Sequence, residues 1–312
     1  LAPPRETSTS VPSLTPAAQS SVTVTGTRTY DAIFEVKLIN NGSGSADRIR
    51  VVTALISDRE PFQRVLSMNV SHAYTLETDE YDNQFAVVEL TDFAAGQEAT
   101  LRFEYRVEVD ALVFNLGNCA GNPTYYDVYA EEYIEADAAE IVETAQTLAQ
   151  DQPTLCDTAR AYYDFVGDNL VYDGYNPGEV GALAALNNLA GDCTEFSDLY
   201  TALLRAGGIP ARPVEGITCC TEAENYTAGG TKHNWLLANL PGVDWAPMDP
   251  TWGRFENQRD TFFAAIDDQH IILTVGRSPA AMNGYHGFTY TWWGDEVVID
   301  NEESWSLLEV IE

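Results

Sequence analysis

Positive charge is what this 312-residue chain has least of. Lys and Arg together number 16 against 48 Asp and Glu, for a formal net charge of -32, and Lys37 and Lys232 are its lysines. A polyanionic backbone is bound by basic stripes that release counterions, and no such stripe exists here, so no nucleic-acid partner is expected. Long apolar runs are missing as well: nothing approaches the roughly 18 consecutive apolar residues of a membrane span. Acidic blocks are also absent. The carboxylates are scattered, which reads as a solvated surface that keeps the protein soluble. The clusters around Asp79 to Asp82 and Asp267 to Asp268 lack the ligand spacing of an EF-hand loop, and no metal or cofactor is expected.

What is present supports folded cores: 45% of residues are hydrophobic and 11% aromatic. The length exceeds the usual single-core size, so two folded units are expected. Residues 1 to 20 are rich in Pro, Ser and Thr, begin without Met and read as a flexible stalk, of the kind that follows a removed signal or anchor. An extracellular or cell-surface location, with a tether through a missing N-terminal segment, is the expectation that follows. Sequons at Asn41, Asn69 and Asn225 are compatible with it. Cysteines at 119, 156, 193, 219 and 220 make an odd count, leaving one free thiol if the others pair; the other four allow three pairings, an adjacent Cys219-Cys220 bridge among them.

From 21 to 113 the pattern alternates and is β-rich. SVTVTGTRTY, AIFEVKLIN, RIRVVTALI, QFAVVEL and ATLRFEYRVEV, separated by turn signals, predict an antiparallel sandwich of the immunoglobulin type with a supporting role. After a loop near Asn118 to Thr124 the texture changes. Ala136 to Gln150 favours helix, and Leu155, Ala159, Tyr162, Tyr163, Val166 and Leu170 recur at helical spacing. A mixed α+β domain with a C-terminal β extension is expected over 114 to 312.

Gly191-Asp192-Cys193 precedes TEFSDLYTALLRA, whose Phe196, Leu199, Tyr200, Leu203 and Leu204 form one apolar helix face, with Gly207-Gly208 and Pro210 as the stop. Cys193 is therefore predicted at a helix start, where unpaired amides and the helix dipole favour the reactive thiolate, and Gly191 permits a close backbone approach. Most cysteines are buried and do no chemistry, so the assignment needs partners. They lie about 40 residues downstream. His233 to Leu240 reads as a strand, Pro241-Gly242 as a turn and Val243 to Asp249 as the returning strand. A turn centred on residue 241 sets His233 opposite Asp249, where the carboxylate can hold the imidazole in its working tautomer. Nucleophile, base and orienting acid are the components of thiol acyl transfer.

Three stretches, GDCTEFSDLYTALLRAGGIPARPVEG at 191 to 216, KHNWLLANLPGVDW at 232 to 245 and MDPTWG at 248 to 253, resemble the transglutaminase-like superfamily of transglutaminase and cysteine protease homologues. The resemblance implies Cys193, His233 and Asp249 as the catalytic triad and a papain-like core in which the cysteine helix packs on an antiparallel sheet. It extends more weakly to DDQHIILTVGRSPAAMNGYHG. The Cys219-Cys220 pair and the TEAENYTAGGT insertion depart from the usual pattern and are expected to form a loop beside the site, and Ser278 stands where many relatives carry an acidic residue.

Among the neighbours, Arg205 and Arg212 are expected to anchor carboxylates within the fold, Glu195 and Asp198 to suit the helix dipole without a catalytic part, and Trp235 and Trp252 to pack. The Cys193 amide is the natural oxyanion donor, with Tyr172 and Asn187 as candidates for the second. The expected activity is a peptidase or amidase acting on a protein or peptide. The alternatives are a crosslinking transglutaminase, if an amine takes the acyl group, and a non-catalytic surface adhesion or assembly protein.

Overall fold

A computed structural model describes residues 22 to 175, 178 to 219, 231 to 283 and 287 to 311. The expected stalk, the insertion before His233, Asn225 and Cys220 lie outside the described residues.

The first unit is a two-sheet antiparallel sandwich. SVTVTGTRTY and AIFEVKLIN, expected as two strands, form one long strand β1 (Val22–Asn40): the ladder with the next long strand runs unbroken through Tyr30, Asp31 and Ala32, and its one irregularity is a bulge nearer the start, between Val24 and Gly26. β1 pairs with β6 (Glu98–Phe114), and β6 also holds β3 (Gln63–Val70). The facing sheet is built from β2 (Ala46–Ala54), β4 (Thr75–Thr78) and β5 (Gln84–Phe93). Alternate side chains such as Tyr30, Phe34, Ile49, Phe85 and Phe103 fill the space between.

The second unit opens with α1 (Ala139–Leu148) and α2 (Leu155–Asn169), near the runs read as helical. A two-strand parallel contact, β7 (Val171–Tyr172) with β8 (Ala190–Gly191), brackets α3 (Gly181–Asn188). Then comes α4 (Cys193–Ala206), packed on a sheet ordered β11-β10-β9-β13. Its strands are β9 (Ala211–Thr218), β10 (Thr231–Leu240), β11 (Asp244–Met248) and β13 (His270–Val275). A short β12 (Ala265–Ile266) returns to pair with β6. A cysteine helix on an antiparallel sheet is the expected core. Cys119 and Cys156 form a disulfide between the linker after β6 and the first turn of α2, and Cys193 is a free thiol.

The C-terminal β segment, expected to extend the catalytic domain, belongs instead to the sandwich. β14 (Phe288–Gly294) pairs with β2, and β15 (Ile299–Glu309) pairs with β1 along eleven residues. Edge strands with open hydrogen-bonding groups accept a distant segment as readily as a neighbour, and β14 and β15 each add an edge strand to one sheet.

The two units share β13. Its Ile272 and Val275 enter the core beneath α4, while Ile271 and Leu273, on the other face, enter the sandwich core. Its outer edge is capped by side-chain amides from the sandwich. Gln63 donates Nε2 to the Ile272 carbonyl and accepts the Ile272 amide, at 2.9 and 2.7 Å; Asn83 does the same to Val275, both at 2.8 Å. Both amides are buried, so they stand in for a missing strand.

Candidate active site

Cys193 occupies the first position of α4, half-buried. Asp192 is the N-cap: its carboxylate accepts the Thr194 amide at 2.8 Å, and Glu195 reaches back to accept the Asp192 amide at 2.9 Å. This capping box fixes the start of the helix at the cysteine. Both acids are buried and engaged with backbone, in keeping with the dipole role expected of Glu195. Gly191 is needed for space, since a Cβ there would lie 2.3 Å from that of Glu195. Asp198 takes Arg277 at 3.1 Å, and Arg277 also reaches Glu179 at 3.0 Å, tying the second turn of α4 to the chain just beyond β13.

The hairpin differs from its expected register. Leu240 faces Asp244 across a loop of Pro241, Gly242 and Val243, so the turn centres on 242, and Leu236 faces Met248 at the last pair. His233 is therefore not opposite Asp249; it lies opposite Gly216 in β9. The slip moves the partner position by two residues, which preserves the face of the sheet. Asp249, one step beyond β11, stays within reach: His233 Nε2 lies 2.8 Å from Asp249 Oδ2. Asp249 Oδ1 accepts the amides of Thr251 and Trp252 at 2.8 and 3.0 Å, and Tyr163 donates to its carbonyl. The carboxylate is thus locked on both oxygens.

With Nε2 turned to Asp249, Nδ1 is the ring nitrogen left for the Cys193 thiol, which lies close enough to act on the imidazole. Burial works against a charged imidazole here, but the charge of Asp249, its hydrogen bond and the contact with Cys193 outweigh it and hold the His233 pKa up at about 9. For Asp249, burial would raise the pKa, yet His233 and His270 together hold it well below the usual carboxylate range.

His270 is the residue that sequence reasoning missed. It begins β13, is almost fully buried, and points Nε2 at the same Asp249 Oδ2, at 3.3 Å, while its Nδ1 meets Asp267 Oδ1 at 2.6 Å. Burial opposes its charge, and Asp267 and Asp249 outweigh burial to raise its pKa to about 9. Asp267, read as part of an acidic surface cluster, is engaged with this histidine, and its neighbour Asp268 with Arg28 at 2.9 Å. The motif around His270 was visible as a weak resemblance, but its approach to Asp249 depends on β13 pairing with β9 across more than 50 residues of chain. The donor atoms of His233, Asp249 and His270 lie within 4.8 Å of one another, spaced as a metal site could be. Each is already satisfied by another member of the set, which fits a hydrogen-bonded relay.

Aromatic rings enclose the pair of histidines. Trp252 lies 5.5 Å from the His233 ring and 4.5 Å from that of His270, and fully buried Trp235 lies 5.8 and 5.1 Å from them. Gly216 makes room: a Cβ there would lie 2.2 Å from the Trp235 ring and 2.3 Å from the Ile271 carbonyl. Tyr172, paired with Gly191, stands beside the helix start, whereas Asn187 is exposed on α3. Arg205 and Arg212 anchor Glu131 and Asp127, as expected of them.

Residues 142 to 250 match the model of the transglutaminase-like superfamily, so the chain carries a transglutaminase-like domain. The match spans Cys193, His233 and Asp249 and ends short of His270. A protein of Bacillus subtilis (strain 168), YebA, is 28% identical over 121 residues, 34% of this chain; the match spans 16% of YebA's own length, and YebA is described as uncharacterized. Among solved structures, a protein from Cytophaga hutchinsonii described as a candidate cysteine protease is similar over 92% of this chain and all of its own, with a TM-score of 0.59 and 14% identity. That likeness extends through the sandwich as well as the helix and sheet. The periplasmic domain of TgpA from Pseudomonas aeruginosa is 18% identical, with 69% of this chain and 93% of that one covered and a TM-score of 0.33.

Proposed function

We propose that this protein is a cysteine peptidase or amidase in which Cys193 is the nucleophile, His233 the base and Asp249 the group that orients it. The observation that carries this reading is the single bond of His233 Nε2 to Asp249, which leaves Nδ1 for Cys193, the one free thiol among the described residues. The raised pKa of His233 keeps its ring protonated near neutrality, so an imidazolium stands ready beside the nucleophile.

In the first half-reaction Sγ attacks the carbonyl carbon of an amide, forming a C–S bond and an oxyanion. The capping box engages the amides after Cys193, leaving the Cys193 N–H to receive that oxyanion. Nδ1 of His233 then passes its proton to the leaving nitrogen, the C–N bond breaks, and an amine departs from a thioester. Water attacks the thioester carbon, its proton goes to Nδ1, the C–S bond breaks and the thiolate returns. Water, always in excess, is the default acceptor; an amine in its place would make a transferase. Throughout, Asp249 stabilises the imidazolium.

Incubation with a peptide library, with and without a primary amine, tests the assignment by mass spectrometry. Cleaved amide bonds that vanish in Cys193→Ala support it, and amine adducts replacing free acids would move the reaction to transfer. A location outside the reducing cytoplasm is proposed from the Cys119–Cys156 disulfide. Alkylation of unreduced native protein should then reach Cys193 and leave Cys119 and Cys156 unmodified.

A further inference from the structure

Every arginine and lysine among the described residues forms an ion pair with a carboxylate except Arg59 and Arg254. In a chain with three acidic residues for each basic one, a cation without a carboxylate is unusual. Arg59 is accounted for at both Nη atoms, which donate to the Tyr81 carbonyl and to Asn83 Oδ1, both at 2.7 Å, while its Nε is buried away from any ligand in solvent. Arg254 is not. One of its nitrogens, Nη1, donates to the Thr251 carbonyl, while Nε and Nη2 have no acceptor among the described residues.

Its position gives the vacancy meaning. The guanidinium carbon lies 4.9 Å from the ring centre of Tyr172 and 4.1 Å from that of Phe255. Tyr172 is the strand partner of Gly191, two residues before Cys193, and Trp252, two residues before Arg254, lies against the His233 ring. Arg254 is thus linked to the start of the cysteine helix through Tyr172 and to the His233 ring through Trp252. Tyr172 and Phe255 are themselves 40% and 51% exposed and Arg254 is half-buried, so the stacked fork is open to solvent on one side. The carboxylate acting on it from within is Asp249, which is fully buried and held by two histidines and two amides. A planar fork fixed between two rings is pre-organised to take a carboxylate with two parallel hydrogen bonds.

We propose that Arg254 binds a carboxylate of the acyl donor next to Cys193, which makes an acidic peptide the substrate class of this site. The inference rests on the acyl-transfer reading above and deepens it. The surface field of a strongly negative protein repels such a substrate, so the local cation supplies the attraction at the point of reaction.

Two thiol reagents of nearly equal size isolate the effect: iodoacetate carries a carboxylate and iodoacetamide does not. The ratio of their rates at Cys193, iodoacetate over iodoacetamide, should fall about tenfold in Arg254→Gln, the lower end expected for a charge-assisted hydrogen bond at a partly exposed site. Arg254→Lys should keep most of it. His233 is present in all three proteins, so its charge cancels. An unchanged ratio in Arg254→Gln overturns the inference, as does an equal fall in Arg254→Lys. Should Arg254→Gln not fold, competition in the wild-type protein decides. N-acetylglutamate α-amide and N-acetylglutamine each carry one carboxylate, on the side chain and at the C-terminus respectively, and N-acetylglutamine amide carries none. Protection of Cys193 from iodoacetamide by one or both acids above the neutral amide supports the proposal and identifies which carboxylate is read; equal protection, or none, overturns it. A thiol unreactive toward both reagents removes the proposed function and this inference together, whereas a reactive thiol with an unchanged ratio removes the inference alone.

Discussion

Nε2 of His270 lies 3.3 Å from Oδ2 of Asp249, the same oxygen that holds His233 at 2.8 Å. One carboxylate oxygen thus serves two buried imidazoles, and Asp267 secures the second from behind. The polar partners of His270 are Asp249 and Asp267, so it is a positioning residue that acts through Asp249.

Replacing His270 with Gln should reveal this in a pH profile. A protonated His270 is a like charge near His233, with ring centres 5.6 Å apart, and it also offsets the charge of Asp249. Its removal leaves Asp249 to act on His233 alone, so the alkaline limb of amide hydrolysis should move upward from about pH 9 while the rate falls about tenfold from lost positioning. A lower rate with an unmoved limb would mean that His270 serves packing alone.

Stability should follow the same charges. The folded-state pKa values of both His233 and His270 are raised to about 9 from an ordinary value near 6.5. Their contribution is therefore complete below about pH 6.5 and is lost as pH rises through about 9. Asp249 is depressed, so its contribution is present above the usual carboxylate range and lost only as acid titrates its lowered folded value. Thermal midpoints measured from pH 6.5 to 9 should decline, and less steeply in His270→Gln. Equal slopes in the two proteins would contradict the relay.

Gly216 faces His233 across β9 and β10, and a Cβ there would meet the Trp235 ring and a backbone oxygen that cannot step aside. Gly216→Ala should cost about 1–3 kcal/mol by denaturant titration, as an overpacked core does. A neutral result would show that the sheet yields locally.

The capped edge of β13 offers a test far from the thiol. Gln63→Ala leaves the Ile272 amide and carbonyl buried without partners, for a loss of about 3 kcal/mol. Amide exchange at Ile272 should accelerate well beyond exchange at Val275, whose own cap, Asn83, is intact. Equal protection at both would sink the idea of independent caps.

These residues also show where a sequence is readable. Cys193 at a helix start was legible because its cause is local: a cap, an apolar face at helical spacing and a glycine stop lie within twenty residues. The His233 and Asp249 partnership survived an error in the turn, since a two-residue slip keeps both on one face of the sheet. His270 and the C-terminal strands were not legible as neighbours of what they touch. β13 is placed by β9, and β15 by β1 almost the whole chain away, and no local pattern encodes such pairings. Arg254 escaped notice because its meaning is an unmet charge, which shows only when the partners of all the other cations are known.

The central claim is that Cys193 is held as a nucleophile by His233. Labelling with iodoacetamide near pH 6, mapped by mass spectrometry, tests it most directly. Cys193 should be modified selectively, and about a hundredfold more slowly in His233→Ala, within the range contributed by a positioned acid or base. A Cys193 that resists the reagent, or reacts at the same rate without His233, would contradict it.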